Sequence, residues 1–141
     1  MKTEKLEKEI KEKIKNILIP GKSVALGNDI VHLPAFTKSC TPHFIRRVYT
    51  QAELEYCSKF TDPFLRYAST WAAKEAVYKA LKQTDDTIKL WWRDIEISRA
   101  KPAGKPTVQI KKLKSPMEFS LSISHEAGYV WAVAICLYDK K

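Results

Sequence analysis

Residues 119–138, FSLSISHEAGYVWAVAICLY, decide the fold. Phe119, Leu121 and Ile123 alternate with Ser120, Ser122 and Ser124, the two-residue period of a strand with one apolar and one wet face. Glu126-Ala-Gly128 is turn chemistry, and the apolar run Tyr129–Tyr138 is predicted to return antiparallel to the first strand. Upstream, Asp94–Ser98 and Pro106–Ile110 flank the turn-rich Lys101-Pro-Ala-Gly104 and predict a second hairpin. Ser23–Val31 reads as the opening strand, with Val24, Leu26, Asn28 and Ile30 on one face and Ala25, Gly27, Asp29 and Val31 on the other; Pro34 ends it. Thr50-Gln-Ala-Glu53 is a capping box, which starts a helix that stops before Asp62-Pro63. A second helix is expected from about Phe64 to Lys82. The order is one strand, two helices, four strands: an α+β fold, an antiparallel sheet with packed helices.

Ahead of this body, residues 3–18 carry Leu6, Ile10, Ile14 and Ile17 at spacings of four, four and three, an amphipathic helix ended by Pro20-Gly21. The expected organisation is an accessory N-terminal helix over residues 1–22 and one domain over residues 23–141. At 141 residues the chain has room for one sizeable core. The opening MKTEKLEKEIKEK is too charged for a signal peptide, and the longest apolar run, Tyr129–Tyr138, is too short to span a membrane. Cys40, Cys57 and Cys136 show no metal-type spacing and suit a reducing compartment, so a cytoplasmic protein is expected. Twenty-five Lys and Arg against 16 Asp and Glu give a net charge of +9, which favours a polyanionic partner without choosing one. A nucleic-acid-binding module, with Trp91-Trp92 stacking bases, is the rival from another class.

Three stretches could carry chemistry. Gly27-Asn-Asp29-Ile-Val places an acid near the end of an apolar strand beside small neighbours, where the plainer role is turn formation. Trp71-Ala-Ala-Lys74-Glu75-Ala-Val-Tyr-Lys79 predicts a helix that buries Ala73, Ala76, Val77, Ala80 and Leu81, with Glu75 and Lys79 one turn apart on another face. By itself that is a surface ion pair. Ser122-Ile-Ser124-His125 puts a histidine where a strand meets its turn, a place where histidines commonly just hydrogen-bond. No GxSxG elbow, P-loop or GxGxxG is present. Two acids on different elements, with lysines and a histidine nearby, do suit Mg²⁺ and phosphate. Magnesium usually takes only one or two carboxylates and leaves the rest to water and substrate.

Taken in order, these stretches resemble the holo-acyl-carrier-protein synthases, the small class of 4′-phosphopantetheinyl transferases. The resemblance rests on GNDIV at 27–31, AAKEAVYKA at 72–80, DIEI at 94–97, GKP at 104–106 and SISH at 122–125, with Arg47-Val-Tyr-Thr50 and Ala52-Glu-Leu54 between, and it covers residues 24–137. The S-H motif follows K-E-A, as in the small class, and Val31 stands where the larger enzymes carry a second acid.

The resemblance implies a phosphopantetheinyl transferase-like fold. It implies Mg²⁺-dependent transfer of the phosphopantetheine arm of coenzyme A to a serine of an apo-acyl carrier protein, releasing adenosine 3′,5′-bisphosphate. Asp29 and Glu75 would hold Mg²⁺; Glu75 and Lys79 would be catalytic; Lys74, Lys79 and His125 would contact coenzyme A, with His125 supplied by a neighbouring subunit. A homotrimer is implied. The serine's base stays open between Glu75 acting through water and a hydroxide at the metal. Lys38, Arg46 and Arg47 are the candidate docking residues for an acidic carrier protein, and neither a membrane nor nucleic acid is expected as partner. A relative that binds carriers without turnover is a further alternative. The chain departs from the family pattern at Lys82-Gln-Thr84, where a G-T-G is common, so the loop over the nucleotide should differ; it departs also at His32, near Pro34-Ala35 and near Thr70-Trp71, departures that bear on carrier recognition and coenzyme A contacts and leave the proposed metal pair untouched.

Overall fold

The computed structural model describes residues 2–17, 21–100 and 104–139. Its elements are α1 (Lys2–Ile17), β1 (Lys22–His32), α2 (Leu33–Ser39), α3 (Pro42–Val48), α4 (Gln51–Ser58), α5 (Pro63–Thr84), a 3-10 turn (Trp92–Asp94), β2 (Ile95–Ser98), β3 (Thr107–Ile110), β4 (Glu118–Glu126) and β5 (Tyr129–Asp139). The hairpin that decides the fold forms as its alternation requires, with Glu126 opposite Tyr129 and Glu118 opposite Leu137. Its two turn residues, Ala127 (φ 51°) and Gly128 (φ 79°), both adopt left-handed backbone. That is the geometry that matches the right-handed twist of the flanking strands. β1 pairs antiparallel with the other side of β5 over its whole length, giving a three-stranded sheet in the order β1-β5-β4.

Two features differ from the sequence reading. β2 and β3 pair with each other, Ile95 opposite Ile110, but as a separate two-stranded sheet. The first three residues of the predicted Lys101–Gly104 turn lie outside the described residues. Two short helices, α2 and α3, also occupy the segment after β1. Each is seven residues long and opens on a proline in its first turn, and Thr41 caps α3 by accepting from the Phe44 N–H at 3.2 Å. Pro34 therefore ends the strand by starting a helix.

α5 is the beam of the structure. Asp62 caps it, Pro63 opens it, and Ala72, Ala73, Ala76, Val77, Ala80 and Leu81 are buried against the sheet. The inward residues of β1 are Ala25, Gly27, Asp29 and Val31, the set read from its alternation. Small residues on both elements let the backbones approach closely. At Gly27 a Cβ would sit 1.9 Å from the Ala76 carbonyl oxygen and 2.7 Å from the Ala80 nitrogen. No side chain fits there, and this contact sets the height at which α5 crosses β1.

Candidate active site

Asp29 lies two residues beyond Gly27 on the same face of β1, so the crossing that requires glycine also delivers Asp29 to the flank of α5. The Lys79 Nζ donates to Asp29 Oδ1 at 2.9 Å and to the Asn28 carbonyl at 3.1 Å. Glu75, one turn earlier on α5, meets the same carboxylate. Its carboxyl is pushed up to about 7, first by burial, then by the charge of Asp29 and a hydrogen bond to it, with Lys79 opposing. Two carboxyl groups that touch this way must share a proton or a cation. The donor set is hard oxygen from two carboxylates, which fits Mg²⁺ with phosphate and water completing its sphere. Among the described residues no group of three or more His, Cys, Asp or Glu could hold a metal, so a cage built from protein ligands alone is not the pattern here.

Lys74, expected as a coenzyme A ligand, is placed elsewhere. Its side chain is fully buried and pairs with Glu53 of α4, which is fully buried too. Adjacent residues on a helix point about 100° apart, so Glu75 faces the site while Lys74 enters the core. There the Glu53 Oε1 also accepts from the Thr50 N–H at 2.9 Å and Oε2 accepts from the Ile97 N–H at 2.9 Å. The ammonium contacts no surface. Glu53 was legible only as a capping-box residue; that it joins α4, α5 and β2 was not.

His125 is exposed and lies on the same face of the sheet as Asp29, but on β4. β5 stands between β4 and β1, which separates the two strands by roughly 10 Å. Within one chain His125 is therefore not joined to the Asp29–Glu75–Lys79 group. Lys38 closes α2, and Arg46 and Arg47 close α3; all three are exposed. The rings of Phe36 and Phe44 meet edge-on at 5.8 Å and Phe44 meets Trp71 of α5 at 5.2 Å, tying these basic helices to the element that carries Glu75.

The unusual residues after Leu81 fasten that end of α5. Lys82 donates to the Ile88 carbonyl at 3.0 Å, and Gln83 accepts from the Leu26 N–H at 3.2 Å. A pocket of about 450 Å³ opens beyond them, lined in part by Lys89, Lys112, Lys114 and Tyr138. None of Asp29, Glu75, Lys79 or His125 lines it, so pocket size does not locate the chemistry. Trp92, offered above as a base-stacking residue, packs instead against Trp71 at 4.7 Å and Tyr78 at 5.3 Å; Trp91 is exposed.

The residue pattern of the 4′-phosphopantetheinyl transferase superfamily matches residues 25–134, the span that contains most of β1, the Asp29–Glu75–Lys79 group and His125. The chain belongs to that superfamily. A holo-[acyl-carrier-protein] synthase of Chlamydia caviae is 34% identical to this transferase over 119 residues, covering 79% of this chain and 95% of the relative. The solved holo-[acyl-carrier-protein] synthase of Helicobacter pylori, in complex with coenzyme A, superposes with a TM-score of 0.63 at 29% identity over 79% of this chain and 98% of that one. The ACPS–CoA complex of Chronobacterium ammoniagenes shares the fold, with a TM-score of 0.73 at 24% identity over 84% of this chain and 99% of that one. The transferase is thus an enzyme of the holo-acyl-carrier-protein synthase type, and α1 lies outside the matched residues. No helix among the described residues is long and apolar enough to cross a membrane.

Proposed function

We propose that the protein transfers the 4′-phosphopantetheine group of coenzyme A to a serine of an acidic apo-acyl carrier protein, with Mg²⁺, in the cytoplasm and as a homotrimer. The observation that carries this reading is the meeting of Asp29, Glu75 and Lys79 at the α5–β1 crossing. Asp29 and Glu75 are the residues that would hold Mg²⁺. When bound, the ion supplies charge neutralisation for the pyrophosphate and polarises the phosphorus under attack. Lys79, held at the Asn28 carbonyl and the Asp29 carboxylate, is placed to exchange those contacts for a phosphate oxygen. The serine oxygen forms a bond to the β-phosphorus as the bond to the adenosine 3′,5′-bisphosphate oxygen breaks. Glu75 takes the serine proton through a water.

Residues 23–141 form the transferase domain in this reading and residues 1–22 an accessory segment. Lys38, Arg46 and Arg47 give the acidic carrier its landing place. The outer face of the three-stranded sheet supports the trimer: Val24, Leu26, Ile30, Tyr129, Trp131 and Ile135 are all exposed on it. An apolar surface of that extent on a monomer marks an interface. In this reading the phosphates are contacted by a neighbour's His125, because the chain's own His125 does not join its Asp29–Glu75–Lys79 group.

The test is intact mass measurement of an apo-acyl carrier protein incubated with the protein, coenzyme A and Mg²⁺, with an EDTA control. One phosphopantetheine is gained, and EDTA abolishes the gain. Asp29→Ala and Glu75→Ala each abolish it while keeping the circular dichroism spectrum. Full turnover in either variant overturns the metal assignment, and no gain on any carrier overturns the transferase reading.

A further inference from the structure

α1 lies outside the family span and carries its own unburied apolar stripe. Leu6, Ile10 and Ile14 are 56%, 47% and 50% exposed. A 16-residue helix with such a stripe is marginal alone in water, and no element of the body packs broadly against it among the described residues. Something else must cover the stripe for the helix to persist.

The flanks say what. Glu7 and Lys11 border the stripe on one side, and Glu9 and Lys13 border it on the other. With Glu4 beyond Lys11 on the first flank and Lys2 between Lys13 and Glu9 on the second, each flank mixes both signs, and a second copy can bring the complementary sign to both. The whole helix holds six lysines and four glutamates, too balanced to be drawn strongly to an anionic lipid surface or to an acidic carrier. The tether points the same way. α1 ends at Ile17 and β1 starts at Lys22, so at most roughly 18 Å of chain separates them. β1 bears Val24, Leu26 and Ile30 on the outward apolar face. Copies joined through that face hold their α1 helices at high effective concentration.

We propose that α1 is a self-association helix, packing Leu6, Ile10 and Ile14 against the α1 of another copy of this chain. The tether argument rests on the sheet-face assembly proposed above; the stripe and its charges do not.

Sedimentation of the full chain tests it. The doubly substituted Ile10→Lys, Ile14→Glu keeps the net charge and leaves the transfer site untouched. It is expected to raise the concentration at which the assembly dissociates roughly tenfold or more, to lower helix content by circular dichroism, and to leave turnover per chain unchanged where the assembly is saturated. In a Cys40→Ser background, Ile10→Cys should give a disulfide-linked dimer on oxidation. An unshifted dissociation midpoint together with no α1–α1 cross-link overturns the proposal. So does binding of the wild-type chain to phosphatidylglycerol vesicles that the double substitution abolishes without weakening assembly. Trp131→Lys, on the sheet face, separates the two readings. If it leaves assembly intact while the α1 substitutions dissolve it, the sheet-face reading fails and α1 stands.

Discussion

Glu75 and Lys74 are neighbours on one helix with opposite fates, and each makes a measurable difference. Glu75 sits beside Asp29 with its carboxyl pushed up to about 7 by burial and by that neighbour, against an ordinary value of 4.5. The metal-free folded protein therefore binds a proton there that the unfolded chain releases at lower pH. Stability from this group is fully present below about 4.5 and is lost as pH rises through about 7. Thermal melts in EDTA should show the melting temperature of the wild type falling across that window. In Glu75→Gln the fall should be absent, leaving that variant the more stable of the two at pH 8; Mg²⁺ at pH 8 should raise the wild type and not the variant. Parallel wild-type and Glu75→Gln profiles would remove the carboxyl contact as their cause. Lys74 is buried in its pair with Glu53, so its substitution is read first in stability. Its ammonium and the Glu53 carboxylate are both fully buried and paired, so Lys74→Met strands a buried charge. Breaking such a pair costs roughly 3–5 kcal/mol, which urea titration would register. In the double variant Glu53→Gln, Lys74→Met much of the loss should return, because no unpaired charge remains. A single variant within 1 kcal/mol of wild type, a difference of roughly fivefold in the folding constant, would show the pair to be idle.

At the scale of elements, the contact between α5 and β1 joins fold to chemistry. Gly27→Ala puts a methyl group where the Ala76 carbonyl oxygen already stands, 1.9 Å from the Cβ position. Neither backbone can yield locally, so α5 must shift along or away from β1. Overpacking of this kind costs about 1–3 kcal/mol or more. The shift also draws Glu75 and Lys79 away from Asp29, so transfer should fall by more than the folded fraction does, as measured by turnover at a temperature where the variant is still folded. This crossing was largely legible in advance. The period-two pattern of Ala25, Gly27, Asp29 and Val31 and the alanine stripe of α5 are both local, and each identifies its buried face. α2 and α3 were not legible, because seven residues span less than two turns and offer no period to read. They are held by rings far apart in sequence, Phe36, Phe44 and Trp71, and their prolines read as stops. The Glu53–Lys74 pair is hidden for the same reason. It joins residues 21 apart, and Lys74 stands inside a motif whose charged residues all look like ligands. The separation of β2–β3 from the main sheet is likewise a question of packing, on which strand periodicity is silent.

For the whole molecule, the sheet has two faces with different work. The inner one holds Ala25, Val31, Leu121, Val130, Ala132 and Ala134 against α5. The outer one leaves Ile30 at 62% and Trp131 at 50% exposure, directly opposite each other in the β1–β5 register. A lysine at position 131 would put a charge at the centre of that face. A stable protein interface covers about 800 Å² on each partner, and an unpaired charge at its centre is not tolerated. Trp131→Lys should therefore yield a monomer by light scattering that keeps its fold, since the substitution points outward, but loses most of its transfer activity. The loss follows from where His125 stands, on the far strand of the sheet from Asp29. Two inactive variants can show this directly. Asp29→Ala lacks one half of the composite site and His125→Ala the other, so each alone should transfer little. When the two are unfolded, mixed in equal amounts and refolded together, random assembly places an intact Asp29 beside a neighbour's intact His125 in about one quarter of the sites. Activity should return to about that fraction of wild type. If the mixture stays as inactive as its components, both halves of the site come from one chain, and the outer face of the sheet serves something other than catalysis.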